Sequence, residues 1–239
     1  MGGLNQDANA KEAPPMAPEP KAQMTTTPED KLRSPELTAE EFARVVAQRS
    51  SRVSFAVGFV GLGVWSYATI VYLICNSNIG DEQLYKEYEK VPKEAYEVPM
   101  VAFSTAFGLN FLTLLFERES IKFQLALIAC YINLLAASSD FIAWQGWGPI
   151  MRDSWGVGSP IVRMVMWLWT TPAMVYLLSI ISDYTRTQVY MALGCDVAMI
   201  LSGMAGTLTQ DRLLSGVSIT LCVFFFQQLI KTLWGMFRA

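Results

Sequence analysis

The chain has 239 residues, a formal net charge of −3, four Cys and no His. Apolar residues make up 52% and charged residues 16% of it, against about 25% charged in an ordinary soluble domain. The absence of His excludes a Ser-His-Asp hydrolase, a Cys-His protease and His-ligated zinc, and nothing in the charge balance points to nucleic acid.

The charges are unevenly spread. Residues 53–80, 98–116 and 164–182 carry none. Apolar runs of about 18 residues or more can cross a bilayer, so the sequence reads as an integral membrane protein, with the lipid bilayer as its first partner. Cys75, Cys130, Cys195 and Cys222 lie in or beside apolar segments, without a C-x-x-C motif. They read as buried thiols.

Residues 1–50 differ from the rest. Pro14, Pro15, Pro18, Pro20, Pro28 and Pro35 sit among Lys, Glu, Thr and Gln. Such a stretch buries too little apolar surface to offset its ordering entropy, and a disordered cytoplasmic region is expected. It lacks the apolar core of a signal peptide. Thr38 followed by Glu41 resembles a helix start, from which a short amphipathic helix could lead to the membrane.

Residues 51–239 then hold six apolar segments, at about 53–76, 98–116, 123–147, 161–182, 187–209 and 213–237. At about 1.5 Å per residue each helix would reach roughly 30 Å. Backbone amides in lipid find no water, so helices are expected, and the alternation of a β-barrel is absent. The predicted class is an all-α membrane protein of six transmembrane helices.

The connections suggest an orientation. Arg44, Arg49 and Arg52 precede the first segment, Arg118 and Lys122 separate the second and third, Arg186 separates the fourth and fifth, and Lys231 and Arg238 close the chain. The opposite loops are acidic or sparse, as Asp81, Glu82, Glu87, Glu89, Glu94 and Glu97 show. The positive-inside rule places both termini in the cytoplasm. Short turns make consecutive helices antiparallel neighbours.

A charge at bilayer depth costs at least ~2.5 kcal/mol and usually faces a bundle interior. Three stand out: Asp140, Arg163 and Asp196. Arg163 can snorkel from the outer end of the fourth segment and Asp140 lies toward the outer end of the third, whereas Asp196 lies mid-span. Arg163, Trp167 and Thr171 share a helix face at spacings of four, flanked by Met166 and Thr170. Asp196, Met199 and Gly203 share a face of the fifth segment. A Thr171–Asp196 hydrogen bond would satisfy both groups. By spacing alone the pair could serve as helix glue and the glycines as close-packing points, or these residues could line a ligand slot.

The run Arg163-x-x-x-Trp167-x-x-Thr170-Thr171-Pro172, followed by Gly194-x-Asp196-x-x-Met199-x-x-x-Gly203, resembles helices C and D of the microbial (type 1) retinal-binding rhodopsins. Segments two to six then resemble helices A to E, over about residues 95–237. The first segment becomes an extra helix before them, a layout similar to the enzyme-linked sensory rhodopsins. The resemblance implies retinal as cofactor. Trp167 would wall a polyene slot, with Thr171 and Asp196 as the interhelical pair beside it. Met199 and Gly203 would lie near the ring, and Arg163 would organise charges and water near the Schiff base. Gly216, Ser218 and Thr220 are looser candidates for the ring end.

Two departures bear on function. Met166 stands where proton pumps of this family place an acceptor carboxylate, and Leu177 stands at the donor position. Neither side chain can shuttle a proton, so a sensory protein is expected rather than a proton pump. Asp140, if it turns inward, could serve as counterion. The family attaches retinal to a Lys of helix G, yet the last segment resembles helix E. The expectation is a fragment lacking helices F and G and the Schiff-base lysine. Those helices, a cytoplasmic cyclase- or phosphodiesterase-type output domain, or a second copy in a homo-oligomer are the implied partners. No catalytic constellation is seen. The alternatives are a light-gated channel or pump of the same family, or a non-photoactive opsin-related scaffold.

Overall fold

The computed structural model describes residues 39–77, 93–181 and 185–237. Helix α1 runs Ala39–Cys75, α2 Glu94–Phe116 and α3 Ser120–Gln145. A two-stranded hairpin follows (β1 Ile150–Arg152, β2 Gly158–Pro160), then α4 Ile161–Ile181, α5 Arg186–Leu208 and α6 Arg212–Phe237. Among the described residues, six spans are long and apolar enough to cross a membrane: Ser50–Cys75, Glu94–Phe116, Ser120–Gln145, Ile161–Ile181, Arg186–Leu208 and Arg212–Gly235. The expected all-α membrane architecture is therefore present, with each segment within a few residues of its predicted limits.

The boundary expected at residue 50 falls inside a helix. Residues 39–50 are the opening turns of α1, where a short helix leading to the membrane was expected. Glu40 and Glu41 occupy its first turn, where negative charge favours the helix dipole. The remaining expectation of disorder, over residues 1–38, lies outside the described residues, as do most of the acidic loop (78–92), residues 182–184 and the last two residues. The chain divides into units Met1–Ala47 and Gln48–Ala239, and the packing below is that of the second.

Local chemistry fixes the helix ends. Gly146 closes α3 at φ 70°, a left-handed geometry that favours glycine, and its N–H reaches back to the Ala143 and Ile142 carbonyls. Thr185 and Gln188 form a reciprocal capping box at the start of α5. The Asp211 carboxylate accepts from the N–H groups of Leu213 (2.8 Å) and Leu214 (3.1 Å) to start α6.

The hairpin was not anticipated. Asp153 holds its turn by accepting from the N–H groups of Trp155 (2.9 Å) and Val157 (2.8 Å), and Gly156 takes φ 82°. Gln210, in the α5–α6 turn, donates to the Arg152 carbonyl (2.8 Å), and Arg212 lies over the Trp155 ring. The hairpin thus ties the α3–α4 connection to the α5–α6 turn.

The main apolar cluster joins α1, α3 and α4 through Tyr67, Val71, Ile128, Tyr131, Leu135, Val165 and Met166. Rings make much of the α1 contact: Phe55 and Phe59 meet Tyr176, and Phe59 meets Tyr131. Gly63 admits Tyr131, whose hydroxyl would lie 2.5 Å from a Cβ at that position. A smaller cluster joins α4, α5 and α6 through Val175, Ala192 and Leu229. At Gly206 the last two helices meet closely. A Cβ there would stand 3.0 Å from Ile219 Cγ1, and the Ser215 hydroxyl donates to the Gly206 carbonyl (2.7 Å).

Candidate functional site

Helix α4 turns about 100° per residue, so Thr170 and Thr171 face different neighbours. The Thr171 hydroxyl lies 2.9 Å from Asp196 Oδ2 on α5 and 3.1 Å from the Trp167 carbonyl one turn back. Asp196 is 2% exposed, and Thr171 is its one hydrogen-bond partner among the described residues. A buried carboxyl group without a partner is costly, which is why the two apolar helices meet at this point. The expected interhelical pair is present as geometry.

The other predicted residues fall elsewhere around that pair. Met166 is buried in the α1–α3–α4 cluster, and Thr170 is buried one turn on, its hydroxyl donating to the Met166 carbonyl (3.0 Å) and close to the Met166 sulfur (3.3 Å). Met199 packs beside Val175, Ala192 and Leu229. Gly203 faces α6, where a Cβ would meet Cys222 Sγ at 3.3 Å, and Ser218 is buried against Gly206. Trp167 is 49% exposed and opens onto the outer face of α4. The set thus occupies four places: a buried strip with Met166 and Thr170, the interhelical pair, the contacts with α6 made by Met199 and Gly203, and the exposed face of α4 at Trp167.

Arg163 and Asp140 form a separate feature. The guanidinium Nη2 lies 2.5 Å from Asp140 Oδ1, with side-chain exposures of 36% and 4%. Its carbon lies 5.9 Å from the centre of the Tyr96 ring. Asp140 does turn inward, and its neighbour is the arginine. Sequence reading placed both charges toward the same end but did not pair them. Tyr96 gave no signal, because nothing in its local pattern distinguishes it from a boundary tyrosine.

A family model described as "Bacteriorhodopsin-like protein" matches residues 49–239. The chain belongs to the bacteriorhodopsin-like family. Among solved structures, this bacteriorhodopsin-like chain is similar to the transmembrane domain of Salpingoeca rosetta rhodopsin phosphodiesterase (TM-score 0.64, 17% identity, covering 76% of this chain and 68% of that one). A structure of that transmembrane domain with its linker region gives a TM-score of 0.63 at 16% identity, covering 76% and 66%. Bromide-bound halorhodopsin from Halobacterium salinarum gives 0.56 at 16%, covering 63% and 65%. The chain thus spans about two thirds of the length of these structures, and at such identities the likeness carries the fold alone. No curated protein matches.

Retinal binding is general in this family, and the α4–α5 face fits part of that role. Trp167 supplies an aromatic surface beside the buried Thr171–Asp196 pair. The described lysines supply no amine there. Lys93 lies over Trp144, Lys122 pairs with Glu119, and Lys231 is exposed near the end of α6. These residues suit one wall for a polyene and not its covalent anchor.

Proposed function

We propose that this chain is the membrane bundle of a sensory, retinal-dependent member of its family, and that the α4–α5 face is one wall of the retinal slot. Retinal, when bound, supplies the absorption of visible light and a change of shape. Trp167 gives the wall its aromatic surface, and Met199 gives it a polarisable one. Thr171 and Asp196 hold the two helices in register, so that a push on either is felt by both. Arg163 and Asp140 form a charge pair one turn from Trp167. The observation that carries this reading is the buried Thr171–Asp196 hydrogen bond, set in the same short motif as Trp167.

Met166 favours sensing over proton pumping. It is 8% exposed and packed in the core, and its thioether cannot accept a proton from a neighbouring cation. The arginines at the turn ends support cytoplasmic termini, which would present a signal to a cytoplasmic output domain.

The test is uptake of all-trans-retinal by the purified chain in lipid nanodiscs, read as saturable quenching of tryptophan emission. Saturable quenching that weakens in Trp167→Leu is expected. Linear, non-saturable quenching identical in both proteins would overturn the proposal. Sustained photocurrent from cells expressing the chain with retinal would overturn the sensory reading in favour of a channel or pump.

A further inference from the structure

A cavity of about 450 Å³ opens between α1, α3, α4 and α5 near one membrane boundary, and neither Thr171 nor Asp196 lines it. This volume is within the ~300–1,000 Å³ of small-ligand sites. Four span ends define its level. Arg52 lies near the start of the first span, Gln124 near the start of the third, Ile180 at the end of the fourth and Arg186 at the start of the fifth.

The lining is graded from charged to apolar. Arg52 and Arg186 stand at the mouth, both exposed, and neither has an ion-pair partner among the described residues. Phe55, Phe59 and Tyr176 form an aromatic wall, held by ring contacts of about 6 Å (6.0 Å for Phe55–Tyr176 and 5.9 Å for Phe59–Tyr176). Gln124 is 3% exposed, lines the cavity, and makes no hydrogen bond among the described residues. Its amide meets the cavity and is free to bond a polar group of a guest that enters.

We propose that the cavity binds the headgroup and glycerol region of an anionic phospholipid from the adjacent leaflet. The two guanidinium groups take the phosphate, Gln124 bonds a glycerol or ester oxygen, and the aromatic wall guides the first part of an acyl chain. Basic pockets between membrane helices are suited to anionic headgroups, and guanidinium matches phosphate in charge and geometry. Because Arg52, Phe55 and Phe59 come from α1, the additional helix completes the site. A free phosphate would satisfy the arginines but leave the aromatic wall unused, which favours the lipid.

The experiment is thermal unfolding of the purified full chain in neutral detergent, titrated separately with phosphatidylglycerol, phosphatidylcholine and glycerol phosphate. Phosphatidylglycerol is expected to raise the midpoint saturably, and the other two are not. Arg52→Gln and Arg186→Gln should each weaken half-saturation about fivefold, and the pair about 25-fold. Gln124→Leu should weaken it as well, while Arg118→Gln/Lys122→Gln, on the same membrane face but outside the cavity, should not. Both arginines are exposed, so each single variant decides even if the pair does not fold. The proposal is overturned if phosphatidylcholine or glycerol phosphate matches phosphatidylglycerol, if the outside pair weakens the effect equally, or if neither arginine variant changes it.

Discussion

Replacing Thr171 by Val keeps the shape of the side chain and removes its hydroxyl. Asp196, 2% exposed, then loses its one hydrogen-bond partner among the described residues, a contact of 2.9 Å. An orphaned buried polar group costs about 1–3 kcal/mol in soluble proteins. Interhelical bonds in membranes are worth less, on the order of 0.6–2 kcal/mol, because the unfolded helices find other partners. The second bond of the hydroxyl, to the Trp167 carbonyl, is local to α4 and contributes little. A coupling of about 1–2 kcal/mol is therefore expected between Thr171→Val and Asp196→Leu. The assay is a double-mutant cycle, using reversible unfolding of the detergent-solubilised chain by a denaturing detergent. Thr171→Val should be destabilising alone and nearly silent once Asp196 is Leu. Additive effects, with coupling below about 0.3 kcal/mol, would refute the reasoning, because the two side chains would then not depend on each other.

Other outcomes follow from the packing. Gly206→Val should destabilise the α5–α6 pair by about 1–3 kcal/mol, because the new Cβ meets Ile219 at 3.0 Å and the Ser215 carbonyl at 3.3 Å, and denaturant midpoints will show it. Tyr131→Phe should leave stability within about 0.5 kcal/mol or raise it, since its hydroxyl is buried without a partner among the described residues. The same change should relieve part of the strain of Gly63→Ala, whose Cβ would crowd that hydroxyl. Arg163→Leu should cost about 1–3 kcal/mol and more than Asp140→Asn, because it strands a carboxylate that is 3% exposed whereas the arginine keeps solvent. Thermal unfolding of the two variants side by side checks the order.

Much of the fold was legible because the membrane leaves the backbone few choices. Charge-free runs of span length can only be helices, and short turns force neighbours to run antiparallel. Thr171 and Asp196 were legible for a related reason: a mid-span carboxylate needs a partner, and few lie at its depth. The Arg163–Asp140 pair was half legible, since depth placed both charges at one end while the Tyr96 ring and the direction of Asp140 depend on tertiary packing. Trp167 shows the limit. Spacing puts it on the Thr171 face, but no pattern shows how much of that face a neighbouring helix covers. The hairpin at Ile150–Arg152 and Gly158–Pro160 has strands of three residues each, too short for a period to emerge, although Asp153 and Gly156 are turn residues. The basic cavity draws its lining from four helices far apart in the chain, so no local window contains it.

The most direct measurement of the central claim is photoaffinity labelling with a diazirine-bearing all-trans-retinal analogue, followed by mass-spectrometric mapping of the labelled peptides. The account expects light-dependent label on α4 around Trp167 and Thr171 and on α5 around Met199, competed away by excess all-trans-retinal. Label spread over the outer face of α2, or label that excess retinal does not displace, would contradict it.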